Sequence, residues 1–145
     1  MNAVASELRV FMPSANLYDS GKERFPADII GMWIANWLPL GDSPFLAIPA
    51  GEGAAYRAME YADAGAFVIA GATSDMINKY REPKYKTTNG HVAVVTPGIG
   101  KNGFPRGYWG QHRGSGKADE TLSLSFARPL KNELLYFAVM RGKSQ

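Results

Sequence analysis

The stretch Asn89-Gly90-His91-Val92-Ala93-Val94-Val95-Thr96 decides the fold of this chain, because it places a histidine at the head of an otherwise apolar strand. Its valines are β-branched, Asn89-Gly90 is a turn signal, and Thr96-Pro97-Gly98 closes the run. A histidine where a buried strand emerges can titrate near neutral pH while the sheet fixes its position, as a general base requires. His91 is therefore a candidate catalytic residue. The alternative is a strand-end histidine without a catalytic task.

Length and composition predict one compact domain over residues 1–145. The chain has 145 residues, of which 46% are hydrophobic and 20% are charged, enough for one sizeable core. Its 16 glycines and 9 prolines indicate many turns and a mixed α and β protein. The net charge of +3 is too mild to call for nucleic acid, although it favours approach to an anionic surface such as a bacterial cell wall.

The chain contains no cysteine and two histidines, so we expect no disulfide and no metal site. The glycines from Gly98 to Gly107 are irregularly spaced and do not lie between a strand and a helix, so we expect no cofactor either. The chain does not begin with basic residues followed by a long apolar run, so we expect no signal peptide. The longest apolar segment, Ile29–Leu38, is too short to cross a bilayer. We expect a soluble protein.

Several segments have the periodicity of helices or strands. A helix is predicted from Pro26, because proline suits a first helical position and apolar residues follow at helical spacing. Ala54–Ala62 is alanine-rich and predicted helical, and Phe45–Ile48 is a possible short strand. Ala66–Gly71 is an apolar run of central-strand length, and Leu134–Met140 is expected to return to the sheet centre.

The intervening segments are predicted to be irregular. Residues 72–90 form a long insertion in which Ser74 is a possible helix cap, and the run from Lys79 to Lys86 carries four basic residues among two tyrosines. This run suits either an anionic polymer or a solvated loop, with nucleic-acid binding a minor alternative. We expect a short strand at 107–110 and a flexible segment at 113–117.

Two of these pieces together resemble a known group of proteins. Ala66-Phe67-Val68-Ile69-Ala70-Gly71 followed by Gly90-His91-Val92-Ala93-Val94-Val95 is similar to the peptidoglycan amidases delivered by type VI secretion systems, in the papain-like superfamily of NlpC-type and CHAP cell-wall hydrolases. The likeness extends to the strand at Tyr108-Trp109-Gly110 and to a terminal aromatic strand at Leu135–Val139. It implies an α+β, papain-like (NlpC-type) fold with N-terminal helices packed on a central antiparallel β-sheet.

The resemblance also implies a Cys–His site. In that family a catalytic cysteine opens the first buried helix, where the helix dipole lowers the pKa of the thiol, and a histidine begins a strand. Ala27 stands at the cysteine position here, which we interpret as a cysteine replaced by alanine in an inactive form. The alternative is a native alanine in a first helical turn. Asp28 is an argument against this interpretation, because its carboxylate would raise the pKa of a thiol beside it.

A third group is expected to orient the imidazole of His91 from the neighbouring strand. Gln111 and His112 are the candidates, and a backbone carbonyl is an alternative. Tyr108 and Trp109 are predicted to bind substrate. Ser20 is a fallback nucleophile, although no motif surrounds it and a turn role fits it better.

The function that the resemblance implies is cleavage of peptidoglycan stem peptides in the D-glutamyl to diaminopimelate region by a Cys–His mechanism. It further implies an antibacterial toxin, secreted without a signal peptide, that acts in the periplasm of a target bacterium. A cognate immunity protein would block its groove, and we expect a monomer. The alternative is a catalytically dead papain-fold module that binds cell-wall peptide or a protein partner.

Overall fold

The computed structural model describes residues 45–88, 90–111 and 114–139. The predicted helix from Pro26, with Ala27 and Asp28, lies outside these residues, and so do Ser20 and His112. None of the helices in the described part is long and apolar enough to cross a membrane.

Within the described residues the chain is a mixed α and β protein with six strands and two short helices. In chain order the elements are β1 (Phe45–Ile48), α1 (Ala54–Asp63), β2 (Phe67–Ala72), α2 (Ser74–Asn78), β3 (His91–Ile99), β4 (Pro105–Gln111), β5 (Gly114–Thr121) and β6 (Leu135–Val139). Single 3₁₀ turns lie at Pro83–Tyr85, Leu122–Leu124 and Arg128–Leu130.

The six strands form one antiparallel sheet in the order β1-β6-β2-β3-β4-β5. Strands β2 to β5 follow one another as a meander, whereas β6 inserts between β1 and β2. The prediction that the terminal aromatic run returns to the sheet centre is therefore confirmed. The strands predicted around Phe45, Phe67 and His91 and the alanine-rich helix are confirmed as well.

Helix α1 packs on one face of the sheet through small side chains. Its alanines at positions 54, 55, 58 and 62 are all at most 6% exposed and belong to one apolar cluster with sheet residues. Ala70 and Ala93, which α1 covers, are fully buried. Alanine against alanine allows a close approach of helix and sheet, and the removal of apolar surface from water stabilises the pair.

The other face of the sheet is apolar too. Ile69, Val94 and Phe137 alternate with the residues under α1 and are also buried. Burial on both faces explains why the central strands read as continuous apolar runs rather than as alternating ones.

Three local predictions were wrong. The cap of α2 is Thr73, whose hydroxyl accepts from the amide of Met76, whereas Ser74 is already helical. Strand β3 does not end at Thr96 but continues to Ile99, because Gly98 takes a positive φ of 111° at an irregularity in the pairing with β4. Residues 114–117 are not a flexible segment, since they begin β5.

Candidate functional site

His91 is the first residue of β3 and lies directly opposite Ala72, the last residue of β2. His91 lies two residues before Ala93 in the strand, so its side chain lies on the same face of the sheet as Ala93, which is the face that α1 covers. The imidazole is half-buried and packs against the ring of Phe126, with ring centroids 5.1 Å apart and planes inclined by 58°. Both the strand and a buried aromatic ring therefore fix the imidazole.

The imidazole makes one side-chain hydrogen bond within the described part of the chain. Its Nε2 lies 2.5 Å from Oγ of Ser125, a half-buried residue 34 positions further along the chain. Burial lowers the pKa of His91 below its ordinary value near 6.5, because desolvation disfavours the imidazolium. The ring is thus neutral at neutral pH, as a base that accepts a proton must be.

Helix α1 begins at the same end of the sheet. The amide of Gly51, just before the helix, donates to the carbonyl of Asn132 over 2.8 Å. Asn132 leads into β6, whose first residue Leu135 pairs with Gly71 near the end of β2. The end of β2, the start of β3, the start of β6 and the N-terminus of α1 therefore converge. We call this the His91 end of the sheet.

The first turn of α1 brings its amide groups and the positive end of its dipole to the His91 end. Ala54 and Ala55 open the helix and are buried at 0% and 6% exposure. Gly53 caps the helix in a left-handed conformation, with φ of 83°. A helix N-terminus at the same end of the sheet as a neutral histidine is a placement that favours an anion at that end.

The connection from β2 to β3 also lies at the His91 end, and hydrogen bonds hold it in place. The side-chain amide of Asn78 donates to the carbonyl of Thr87 and accepts from its amide, both over 2.8 Å. Glu133, before β6, accepts from Lys79 Nζ and from the hydroxyl of Tyr80 at 2.8 Å. These bonds lower the pKa of the Glu133 carboxyl. The β2–β3 connection is therefore hydrogen-bonded to the segment that precedes β6.

Part of the predicted basic segment remains available on this connection. Lys84 Nζ lies 4.9 Å from the ring centroid of Tyr85, whose side chain is 60% exposed. Lys79, by contrast, forms an ion pair with Glu133 at 2.8 Å. The contact of this segment with an anionic polymer stays a prediction.

The sequence-predicted site residues fall in different places. Gln111 ends β4, the strand next to β3, and its side chain lies outside the described residues, as do Ala27 and His112. Tyr108 pairs with Val94, so its side chain lies on the same face as Val94, which is the face opposite to that of His91.

Trp109 lies on the same face as His91, but it is only 4% exposed and belongs to the apolar cluster under α1. Its Nε1 has no hydrogen-bond partner among the described residues. Packing is therefore the contribution that the structure gives to Trp109, and its predicted contact with substrate has no support from its exposure.

Two features of the site were missed by the sequence reasoning. Ser125 is distant in the chain and has no motif around it, so only the folded structure brings it to His91. The start of α1 at Ala54 was predicted as a helix, yet its position relative to His91 follows from the sheet order.

The described residues contain no group of three or more His, Cys, Asp or Glu side chains that could hold a metal ion. Neither a family model nor a curated protein matches the chain. The chemistry of the site is therefore that of a neutral imidazole, fixed by Ser125 and Phe126, at the same end of the sheet as a helix N-terminus.

Proposed function

We propose that this chain is a peptidoglycan amidase of the papain-like, NlpC-type kind, in which an alanine stands at the position of the nucleophilic cysteine. The observation that carries the proposal is the convergence of His91 with the N-terminus of a buried helix at one end of an antiparallel sheet. This is the placement that a Cys–His pair requires, since the positive end of the helix dipole favours the thiolate.

The chemistry would proceed by acyl transfer. His91 takes the proton of a thiol at the helix N-terminus, and the resulting thiolate attacks the carbonyl carbon of a peptide bond. Backbone amides of the first helical turn would bind the oxyanion, apart from the amide of Ala54, which donates to the carbonyl of Gly51. The imidazolium then gives its proton to the leaving amine, and water releases the acyl group by the same route. Burial of His91 supports this role, because it keeps the resting imidazole neutral.

Three alanines are candidate positions for the missing thiol. Ala27 is the position that the resemblance implies, and it lies outside the described residues. Ala54 and Ala55 open α1 at the His91 end, directly before strand β2. We retain all three positions, because Ala54 and Ala55 open α1 and Ala27 is the position that the resemblance implies.

The substrate and the biological setting rest on the resemblance of the Ala66–Gly71 and Gly90–Val95 segments. They point to stem peptides cut in the D-glutamyl to diaminopimelate region, to action in the periplasm of a target bacterium and to neutralisation by an immunity protein. The net charge of +3 agrees with approach to an anionic cell wall.

The test is to restore the thiol. Ala27→Cys, Ala54→Cys and Ala55→Cys are incubated separately with purified muropeptides, and the products are identified by mass spectrometry. We expect one variant to release a stem-peptide fragment and to lose this activity when His91→Ala is added. If all three variants are folded by circular dichroism and none cleaves, the amidase proposal is wrong.

A second candidate follows from the absence of cysteine in the sequence. In this reading the chain is a binding module that keeps the fold without the chemistry. Insoluble peptidoglycan sacculi are mixed with the unaltered chain and sedimented at several salt concentrations. Retention on sacculi, together with an alanine codon at positions 27, 54 and 55 in the natural gene and no cleavage by the three cysteine variants, would establish the module.

A further inference from the structure

Ser125 is held by a rigid turn on the α1 face of the sheet. The carbonyl of Leu122 accepts from the amides of both Ser125 and Phe126 at 2.9 Å. Leu122 is fully buried and Phe126 is 3% exposed, so two core residues anchor the turn on either side of Ser125. The hydroxyl of Ser125 therefore meets His91 at a position that the core determines.

A second set of bonds secures the start of the same turn. Thr121 is 4% exposed, and its Oγ1 accepts from the amide of Lys101 at 2.7 Å. The same oxygen lies 2.9 Å from Oγ of Ser123. Ser123 therefore serves the turn itself, whereas Ser125 faces the imidazole, and the two serines can be compared directly.

A serine beside a histidine suggests a nucleophile, but the surroundings of Ser125 argue against this role. An acyl-transfer serine needs amide donors for the oxyanion, commonly its own amide or that of a neighbouring residue. The amides of Ser125 and Phe126 are both occupied by the carbonyl of Leu122. The serine is thus better placed to hold the imidazole than to attack a substrate.

We infer that Ser125 is the positioning residue of His91: its Oγ accepts a hydrogen bond from Nε2–H and so fixes the tautomer in which Nδ1 is unprotonated. The proton that His91 gains and loses then resides on Nδ1, while Nε2–H stays bonded to Ser125 in both charge states. The third group consequently comes from the turn after β5 rather than from the strand beside β3, where Gln111 was predicted.

The reaction assigned to Nδ1 rests on the proposed function, whereas the tautomer does not. The tautomer of His91 is measured by long-range ¹H–¹⁵N correlation spectroscopy of the imidazoles in the unaltered chain above pH 7. The chain has two histidines, and the signals of His91 are those that disappear in His91→Asn. We expect the Nε2–H tautomer. A dominant Nδ1–H tautomer would overturn the inference, because Ser125 would then be the donor.

Variants separate positioning from a purely structural role. Ser125→Ala is expected to mix the tautomers and to lower the pKa of His91 further, by roughly 0.5 to 1 unit, since hydrogen bonds to charged groups are the stronger ones. Ser125→Thr keeps the hydroxyl and should restore both properties, and Ser123→Ala should change neither. Equal effects of Ser123→Ala and Ser125→Ala, or no effect of Ser125→Ala, would contradict the assignment.

A kinetic measurement applies to whichever cysteine variant cleaves muropeptides. Adding Ser125→Ala should lower kcat roughly tenfold or more with KM little changed, because the base is misoriented while substrate binding is intact. If no cysteine variant cleaves, the amidase proposal fails and the tautomer result still decides the role of Ser125. If cleavage is unaffected by Ser125→Ala, the positioning role fails and the amidase proposal stands.

Discussion

Ala70 of β2 lies directly opposite Ala93 of β3, and both are completely buried beneath the alanine face of α1. On one side of this pair Tyr136 pairs with Ala70, and on the other Trp109 of β4 belongs to the same apolar cluster as Ala93. Two large rings therefore flank two methyl groups across the sheet. The methyl groups leave the space in which the helix lies, and its N-terminus is thereby held at the His91 end.

A larger side chain on the sheet face under α1 should destabilise the protein. Ala93→Leu adds three carbon atoms where helix and sheet are in contact, so we expect a loss of about 1 to 3 kcal/mol of unfolding free energy. Urea titration followed by circular dichroism measures the change. Ala47→Leu, at an exposed position of β1, is the matched control and should alter stability little. Equal effects of both substitutions would refute this packing arrangement.

The hydroxyl of Tyr136 is buried and has no hydrogen-bond partner among the described residues. Burial alone raises the pKa of Tyr136, because the phenolate would be desolvated. Tyr136→Phe removes an unsatisfied polar atom and keeps the ring, so we expect thermal unfolding to show a gain of about 1 kcal/mol. A clear loss of stability would mean that the hydroxyl has a partner.

Gly107 on β4 should tolerate no side chain. A methyl group there would lie 2.3 Å from the carbonyl oxygen of Val94 and 2.9 Å from Leu122 Cδ2, and neither neighbour is free to move. Gly107→Ala is expected to destabilise the sheet by more than about 2 kcal/mol, as an overpacked core position does.

Gly71 provides the control for this substitution. It is also buried in a strand, yet its nearest neighbour would be 3.5 Å from an added methyl group, which is ordinary van der Waals contact. Chemical denaturation of the two alanine variants should show a large effect at position 107 and a small one at position 71. The reverse order would place the strands in a different register.

Stability should depend on pH through His91. Its pKa in the folded protein is lowered by burial, so below about pH 6.5 the unfolded chain binds a proton that the folded chain does not. The contribution of His91 is complete above that pH and is lost as the pH falls toward the folded pKa, with a slope of at most about 1.4 kcal/mol per pH unit.

Urea denaturation of the unaltered chain and of His91→Asn between pH 5 and pH 8 isolates this contribution, because all other groups titrate in both proteins. The difference in unfolding free energy between the two should shrink as the pH falls below about 6.5. A difference that does not change with pH would show that His91 has the same pKa folded and unfolded.

Glu133 should control the mobility of the connection at the His91 end. Glu133→Gln removes the charge that accepts from Lys79 and from Tyr80, so we expect faster amide hydrogen exchange in residues 79–86. Global unfolding should change little, since the pair is exposed. Glu120→Gln, at an exposed position of β5 with no ion pair in the described residues, is the control. Unchanged exchange in both variants would mean that the ion pair does not restrain the connection.

The central elements could be predicted from the sequence because their patterns are local. The β-branched run from Val92 to Val95, the apolar run Ala66–Gly71 and the alanine-rich segment from Ala54 each have a period or composition that one backbone conformation satisfies. The strand that begins at Gly114 could not be predicted from the sequence, because glycine, serine and charged residues rarely form strands alone. Pairing with β4 supplies the stabilisation that these residues lack.

The sequence by itself determined that His91 begins a buried strand, since a turn signal followed by valines leaves little choice of local structure. Only the tertiary structure decided what surrounds that histidine. The strand order brings β6 between β1 and β2 and sets α1 at the His91 end, and the turn after β5 places Ser125 2.5 Å from the imidazole across 34 residues. Contacts of that kind depend on how the whole chain shares one core, which no local pattern of residues encodes.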